Sequence, residues 1–536
     1  MRTTVSTGAM MMALLAGANP ALAQDSVVED EARGQEIIVT AQKRAQSIQD
    51  VPIAISAITS ESLGQTGIQS TNDLVVAVSG LNVTRTTEAV NFTLRGIGTQ
   101  GGSTGQDSAI ATFIDGVYLP SMAGSNFALA NIERVEVLKG PQGTLYGRNA
   151  TGGAVNVVTK EPSFDPLLRA SVGYGNYKTM EGSLYVSGGI TDTIAIDLAA
   201  YLRDQGEGFG ENRIINRDVN ASNDLIVRSK LIFLPSSATK ITIAADWARA
   251  DGSLALAYRP APTSQLLNGT GYAEYLAAGN GYYDSISEFE PFFKTESYGA
   301  YFRIDQDIGD FTISNLAAYR GSDGYQRVEV DGTPLKIVDA PLFNQEDQFT
   351  NELQLSYARD GLDAIVGLYY LDGKSQYNPF QIAGLAIEGQ TGGLANRLVI
   401  NSAQKTQSYA IFGQATWEFL SDTNLTLGAR YTVDERTLDA DQFFDIGGQV
   451  PTPYGDRLMP NGTLFPLGSV AQEEKFKKPS WRIALDHQFT PDFMGYASYS
   501  RGFKSGVFNL TSPADPHFPK RSMPMSWGSR HRRRWA

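Results

Sequence analysis

Few residues in this chain of 536 can do covalent or metal chemistry. There is no cysteine, and the three histidines are His487, His517 and His531. That excludes a thiolate zinc site, a cysteine nucleophile and a disulfide scaffold. It also leaves too few imidazoles for a histidine-rich metal site or a nucleophile–base pair. Gly96-Ile97-Gly98-Thr99-Gln100-Gly101 has the spacing of a dinucleotide loop after a strand-like stretch, and Asp115 lies 19 residues beyond Gly96. Such a loop needs a helix N-terminus directly behind it to face the pyrophosphate. Gly102-Ser103-Thr104-Gly105-Gln106-Asp107 does not begin one. Gly140 to Gly147 lacks the Lys-Ser/Thr end of a phosphate loop. Carboxylates are abundant, yet no spacing marks a glycosidase pair. The expectation is a non-enzyme without a cofactor. Two features remain: the apolar island Glu36-Ile37-Ile38-Val39-Thr40-Ala41, and the cations Arg95, Arg134, Lys139 and Arg148 among glycines.

The elements that must position these residues follow from length and pattern. The chain exceeds the ~250–300 residues at which a single core stops growing. Net charge is −13, which argues against a nucleic-acid partner. Residues 1–23 read as a secretory signal peptide: Arg2, the apolar run Gly8 to Ala18, then Ala21-Leu22-Ala23 as the cleavage site. No run reaches the ~20 apolar residues of a membrane helix, but alternating barrel strands remain open. Residues 24–48 read as a flexible, acidic segment. Within it the island forms an isolated strand with no adjacent sheet, suited to joining another protein's sheet edge. Residues 49–162 mix short strands and helices with glycine-rich turns, an α+β domain.

From 167 to 512 the pattern is strands only. Leu425, Leu427, Ala429, Tyr431 and Val433 alternate with Thr426, Arg430, Thr432 and Asp434. Short connections (Gly188–Asp192, Pro235–Thr239, Asp307–Asp310, Arg359–Gly361, Ser421–Thr423, Thr490–Asp492) alternate with long ones (Asp204–Asn223, Asp251–Phe292, Gly321–Asp347, Gly373–Gln404, Thr437–Lys478). That describes an antiparallel transmembrane β-barrel with tight turns on one side. Thirteen strands are expected between Leu167 and Phe503.

Here the sequence resembles the TonB-dependent outer-membrane receptors. Glu36 to Ala41 is similar to a TonB box. Leu94 to Gly98, Phe113 to Tyr118 and above all Ile132 to Pro162 resemble plug signatures, and Tyr499 to Lys504 resembles a barrel piece. The resemblance implies a plug inside a barrel of about 22 strands. It also implies outer-membrane lipid around the barrel, an extracellular small-molecule ligand, and TonB as periplasmic partner, working with ExbB and ExbD at the inner membrane. The plug residues it singles out are Arg95, Gly96, Asp115, Gly116, Arg134, Lys139, Gly140, Pro141, Gly143, Tyr146, Gly147, Arg148, Gly152 and Gly153. Gly140, Gly143, Gly147, Gly152 and Gly153 suit tight turns and positive φ. Arg95, Arg134, Lys139 and Arg148 are expected to pair with carboxylates on the inner barrel wall.

Iron–siderophore uptake is the leading expectation for function, because a pre-chelated ferric ion needs no protein histidine or cysteine. Haem fits less well without axial histidines. Oligosaccharides, cobalamin and aromatic compounds are the alternatives. Tyr272, Tyr275, Tyr282, Tyr283, Phe289, Phe292 and Phe293 are expected to stack on an aromatic chelator or to pack a loop. Residues 513–536 differ from the rest: Pro516 to Ala536 hold six Lys or Arg and no acid. An odd strand count and this atypical basic tail suggest a truncated product, out of frame after about Ser512 to Pro516. On that expectation this chain alone would not transport.

Overall fold

The computed structural model describes residues 37–85, 90–99, 102–120, 129, 131–253, 281–329, 336–446, 452–454, 457–459, 462–491 and 493–512, plus the backbone of 516–517, 521–522 and 525–531. The expected signal peptide, Glu36, Tyr272 and Tyr275 lie outside the described residues.

The first layer of structure is a small α+β domain. It runs β1 (Ile38–Val39), β2 (Gln46–Ser47), β3 (Ala54–Thr59), α1 (Ser60–Thr66), a 3-10 turn (Thr71–Asp73), α2 (Leu74–Ala77), β4 (Leu81–Arg85), β5 (Val90–Leu94), β6 (Ile97–Gly98), β7 (Ile110–Ile114), β8 (Val117–Leu119), β9 (Ile132–Lys139) and β10 (Gly153–Thr159). Thr59 caps α1 by accepting from the Ser62 N–H, and Gly67 ends it at φ 68°. Five strands form one sheet in the order β3-β9-β10-β7-β8. Alternation along β9 and β10 sends Val135, Val137, Val155 and Val157 to one core with Leu63, Leu74 and Phe92. It sends Leu138 and Ala154 to the other, with Val39, Ala41, Val51, Ile53 and Phe113.

The N-terminal expectation is therefore corrected. The island is not isolated: Ile38 and Val39 pair antiparallel with Ser47 and Gln46, and Val39 and Ala41 are buried. A two-residue ladder lies below the length that periodicity detects, and the apolar side chains are used by the domain's own core. Among the described residues, Ile37 to Ser47 already belong to this domain's fold, ahead of the expected boundary at 49.

The second body is a large antiparallel meander: β11 (Leu167–Gly175), β12 (Thr179–Thr191), β13 (Ile194–Gln205), the hairpin β14 (Gly210–Asn212) and β15 (Arg217–Val219), β16 (Ala221–Ser236), β17 (Thr239–Ser253), β18 (Phe292–Ile308), β19 (Phe311–Glu329), β20 (Asp339–Arg359), β21 (Leu362–Ala383), α3 (Leu385–Thr391), β22 (Ala395–Leu420), β23 (Thr423–Ile446), the hairpin β24 (Thr452–Tyr454) and β25 (Arg457–Met459), β26 (Thr463–Thr490) and β27 (Phe493–Phe503). The thirteen long strands lie in sequence order. The expected short connections fall at tight turns with one displaced: β12 runs on to Thr191, so its turn is at Asp192 and Thr193 rather than Gly188–Asp192, and Asp492 lies outside the described residues. The long ones are shorter than expected, because the strands continue: β19 reaches Glu329 and β20 begins at Asp339, where Gly321–Asp347 was read as loop. These extensions bury apolar residues such as Leu342, Tyr377 and Leu438 on the inside among polar ones, so the regular outward apolar row that alternation detects is missing there.

The strands are inside-out relative to a soluble sheet. On β22, Ser402, Gln404, Thr406, Ser408 and Gln414 are buried, whereas Tyr409, Ile411 and Trp417 are exposed. On β23, Thr426, Arg430, Thr432, Asp434 and Arg436 are buried while Leu427 is 51% exposed. Polar inward and apolar outward is what lipid selects. Beyond Phe503 come β28 (Val507–Phe508), β29 (Pro516–His517), β30 (Arg521–Ser522) and β31 (Met525–His531). The tail, read from sequence as an atypical basic stretch, places β31 beside β27 from Met525↔Tyr499 to His531↔Phe493. Main-chain pairing at a sheet edge does not need an alternating sequence.

Candidate functional site

The first domain contacts the inner wall of the strand meander, and the chemistry sits where they touch. Two hairpins of the domain turn on consecutive positive-φ residues, Arg95 (51°) with Gly96 (79°) and Asp115 (49°) with Gly116 (84°). The dinucleotide-like Gly96 is thus a turn between Leu94 and Ile97, not a phosphate loop. Asp115 then reaches back to its own sheet, accepting from Thr159 N at 2.8 Å, and outward to the wall, accepting from Tyr301 Oη at 3.1 Å. Lys230 of β16 completes it at 3.2 Å.

The glycine expectation holds in part. Gly140, Gly147 and Gly153 have φ of 96°, 81° and 151°. Gly143 and Gly152 do not have positive φ; they are needed for close approach. A Cβ on Gly143 would lie 3.0 Å from Gly502 Cα, and one on Gly152 would lie 2.5 Å from Ile110 Cδ1. Pro141 is buried next to Gly502. Tyr146 packs edge-on to Phe113 with centroids 5.1 Å apart and donates its hydroxyl to Thr40 O at 3.3 Å.

Of the four cations expected at the wall, one is there. Arg148, 6% exposed, lies 3.5 Å from Asp434 of β23. Burial disfavours its charge, but Asp107 and Asp434 outweigh burial and raise its pKa. Arg134 pairs instead within its own domain, with Glu133 at 2.5 Å and Glu136 at 2.8 Å. It shares a face of β9 with Glu136, and the N-terminal segment covers that face. Lys139 donates to Ser79 O at 3.0 Å, and Arg95 is exposed at its turn.

The wall contacts that sequence reading missed are more numerous. Arg436 of β23 pairs with buried Asp107. Burial pushes the Asp107 carboxyl up, but Arg436 and Arg148 win and hold it below its ordinary value. Lys43 pairs with Glu352 of β20, and Arg44 with Asp363 of β21. Burial pushes the Lys43 amine down, with Glu352 opposing. Glu136 is fully buried and accepts from Thr40 N (2.8 Å), Thr40 Oγ1 (3.0 Å) and Asn156 Nδ2 (3.3 Å). Its signal was a carboxylate set between two valines, Val135 and Val137, in the middle of β9. Asp107, in a Gly/Ser stretch, had none. Hydrogen bonds to plug carbonyls add to these: Ser480 to Gly143 O, Arg482 to Pro52 O and Gln348 to Tyr118 O. The arrangement is a folded body held in a polar lumen by ion pairs and hydrogen bonds, with Leu371 and Tyr369 of the wall packed against its apolar core.

Residues 47–154 match the TonB-dependent Receptor Plug Domain, and residues 233–522 match the TonB dependent receptor-like β-barrel. The chain belongs to the TonB-dependent receptor family. It is an outer-membrane protein with a plug domain followed by barrel strands. The barrel match runs past the expected break at Ser512 to Pro516. Among similar proteins, the pesticin receptor of Yersinia enterocolitica is 23% identical over 552 residues, covering 98% of this chain and 71% of that protein. The catecholate siderophore receptor Fiu of Escherichia coli is 39% identical over 95 residues, 18% of this chain and 12% of its own. The crystal structure of the ferric yersiniabactin uptake receptor FyuA from Yersinia pestis superposes with a TM-score of 0.73 at 17% identity, covering 90% of this chain and 70% of that one.

Proposed function

We propose that this receptor carries a ferric-siderophore-type ligand across the outer membrane, energised through TonB with ExbB and ExbD. The observation that carries the reading is the plug–wall interface. Polar, hydrogen-bonded contacts hold the plug without the large apolar interface that would make its displacement prohibitive. The segment Ile37 to Ala41 lies at the N-terminus of that plug, where a pulling partner would take hold. Similar proteins include receptors named for siderophores, which supports a ferric chelate as the ligand. On the side of the long connections, Tyr177, Phe209, Tyr282 and Tyr283 form a chain of ring contacts with centroids 4.7 to 6.1 Å apart. Tyr282 and Tyr283 remain half exposed, a surface for stacking on an aromatic chelator.

Deleting Glu36 to Ala41 tests the energy coupling. Ligand binding to cells should persist while uptake under iron limitation is lost. Uptake that survives the deletion would refute the coupled reading. Supplying candidate siderophores one at a time to iron-starved cells identifies the ligand.

A further inference from the structure

Between the plug and one stretch of wall lies a cavity of about 580 Å³. Its barrel lining comes from the short-turn ends of β16 to β22, including Arg303, Asp305, Gln354 and Thr416. The plug contributes three lining residues: Gln42, Lys43 and Arg44. These directly follow the TonB-box-like segment in the chain. Two ion pairs fasten them at different depths. Asp363, partner of Arg44, is the second residue of β21 after its turn. Glu352, partner of Lys43, pairs in register with Tyr369, farther from that turn. Gln42 meets Gln414 at 3.3 Å.

Above Glu352 the same side of the wall continues as charge and aromatic ring. Arg430 stacks over Tyr369 and Phe412 at 5.3 and 5.2 Å. Asp434 and Arg436 follow on the same inward face of β23, meeting Arg148 and Asp107 of the plug. Toward β16 and β18, farther along the same wall, the contact differs. There the wall grips the plug's folded sheet through Asp115, held by Lys230 and Tyr301. Tension on the N-terminal segment reaches Gln42, Lys43 and Arg44 first, by chain connectivity. It reaches Asp115 only after the plug sheet has come apart.

We propose that ligand leaves the lumen along the inner face of β20 to β23, through a passage that Gln42, Lys43 and Arg44 close at its short-turn end. Lys43–Glu352 and Arg44–Asp363 are the contacts that break to open it. This rests on the TonB-energised reading above. The route is polar and bears both signs, which suits a hydrated chelate and would slow an apolar solute.

The chain has no cysteine, so one introduced thiol is unique. Thr432→Cys puts it on the proposed route. Ser187→Cys puts it on the far wall, where Ser187 bonds Ser163 at 2.7 Å. In iron-starved cells supplied with a ferric catecholate siderophore, labelling by a polar maleimide is compared with and without a protonophore. The expected result is a rise of about tenfold at Thr432→Cys with energy and none at Ser187→Cys. A rise at Ser187→Cys alone, or equally at both, overturns the route but leaves TonB coupling standing. No energy-dependent change at either site counts against the coupling itself. Lys43→Glu or Glu352→Lys alone should raise Thr432→Cys labelling without energy, and the double swap should restore protection. Failure of the swap to restore it overturns the role of that pair.

Discussion

Glu136 shows how a single residue controls the N-terminal segment. Its carboxylate has no solvent and takes bonds from Thr40, Arg134 and Asn156. Glu136→Gln turns one acceptor oxygen into a donor facing other donors. We expect a loss of about 3 kcal/mol, the scale of breaking a buried pair. The segment rather than the sheet should detach. Thiol labelling at Ile38→Cys should therefore rise in the Gln variant, and unchanged labelling would contradict the latch. Asp107 gives a pH prediction of definite sign. Its carboxyl is held below the ordinary value, so its stabilising contribution is complete above that value and lost as pH falls through the lowered one. The stability gap between the protein and Asp107→Asn should be flat from about pH 5 to 8 and shrink only below about pH 4. A gap that changes near neutrality would contradict the assignment. Glu136 was visible in the sequence only as an anomaly, and Asp107 not at all, since a partner such as Arg436 is distant in the chain.

At the scale of elements, the plug sheet depends on one glycine more than on others. Gly153 has φ 151°, and a Cβ there would lie 2.2 Å from Leu138 O. Gly153→Ala should separate β9 from β10 at the Lys139↔Gly153 pair and cost about 2–3 kcal/mol. Gly96→Ala has positive φ but open space, and should cost about 1–2 kcal/mol. Protease nicking of the plug in outer membranes should separate the two variants, with the barrel's heat-modifiable mobility kept in both. Equal nicking would rule out the steric account. The sequence marked both glycines, but only the structure separates a turn requirement from a packing one. Helix and strand positions in the plug were legible because caps and periodicity are local. The two-residue β1–β2 ladder was not.

For the whole molecule, the inverted pattern makes a directional prediction. Leu427 faces outward on β23 and Thr416 faces the cavity from β22. Leu427→Arg should cost about 2–4 kcal/mol in urea-titrated refolding into lipid vesicles, as for a cation near the bilayer midplane. Thr416→Arg, in a polar lumen, should cost much less. Equal costs would mean that the faces are wrongly assigned.

Sequence alone determined the strand-only region, its side of tight turns, the outward apolar row and the plug's glycine-rich signature. Each of these is written in neighbouring residues through backbone geometry and a period of two. Tertiary structure decided the rest. Arg148 is at the wall and Arg134 is not, because β9 alternation aims Arg134 at the plug's own N-terminal segment. The TonB-box-like residues are tucked into a core rather than free, because Val39 and Ala41 find apolar partners in strands about a hundred residues away. The cavity lined by Gln42, Lys43 and Arg44 exists only because the seven strands β16 to β22 converge on the plug there, a proximity that no local pattern encodes.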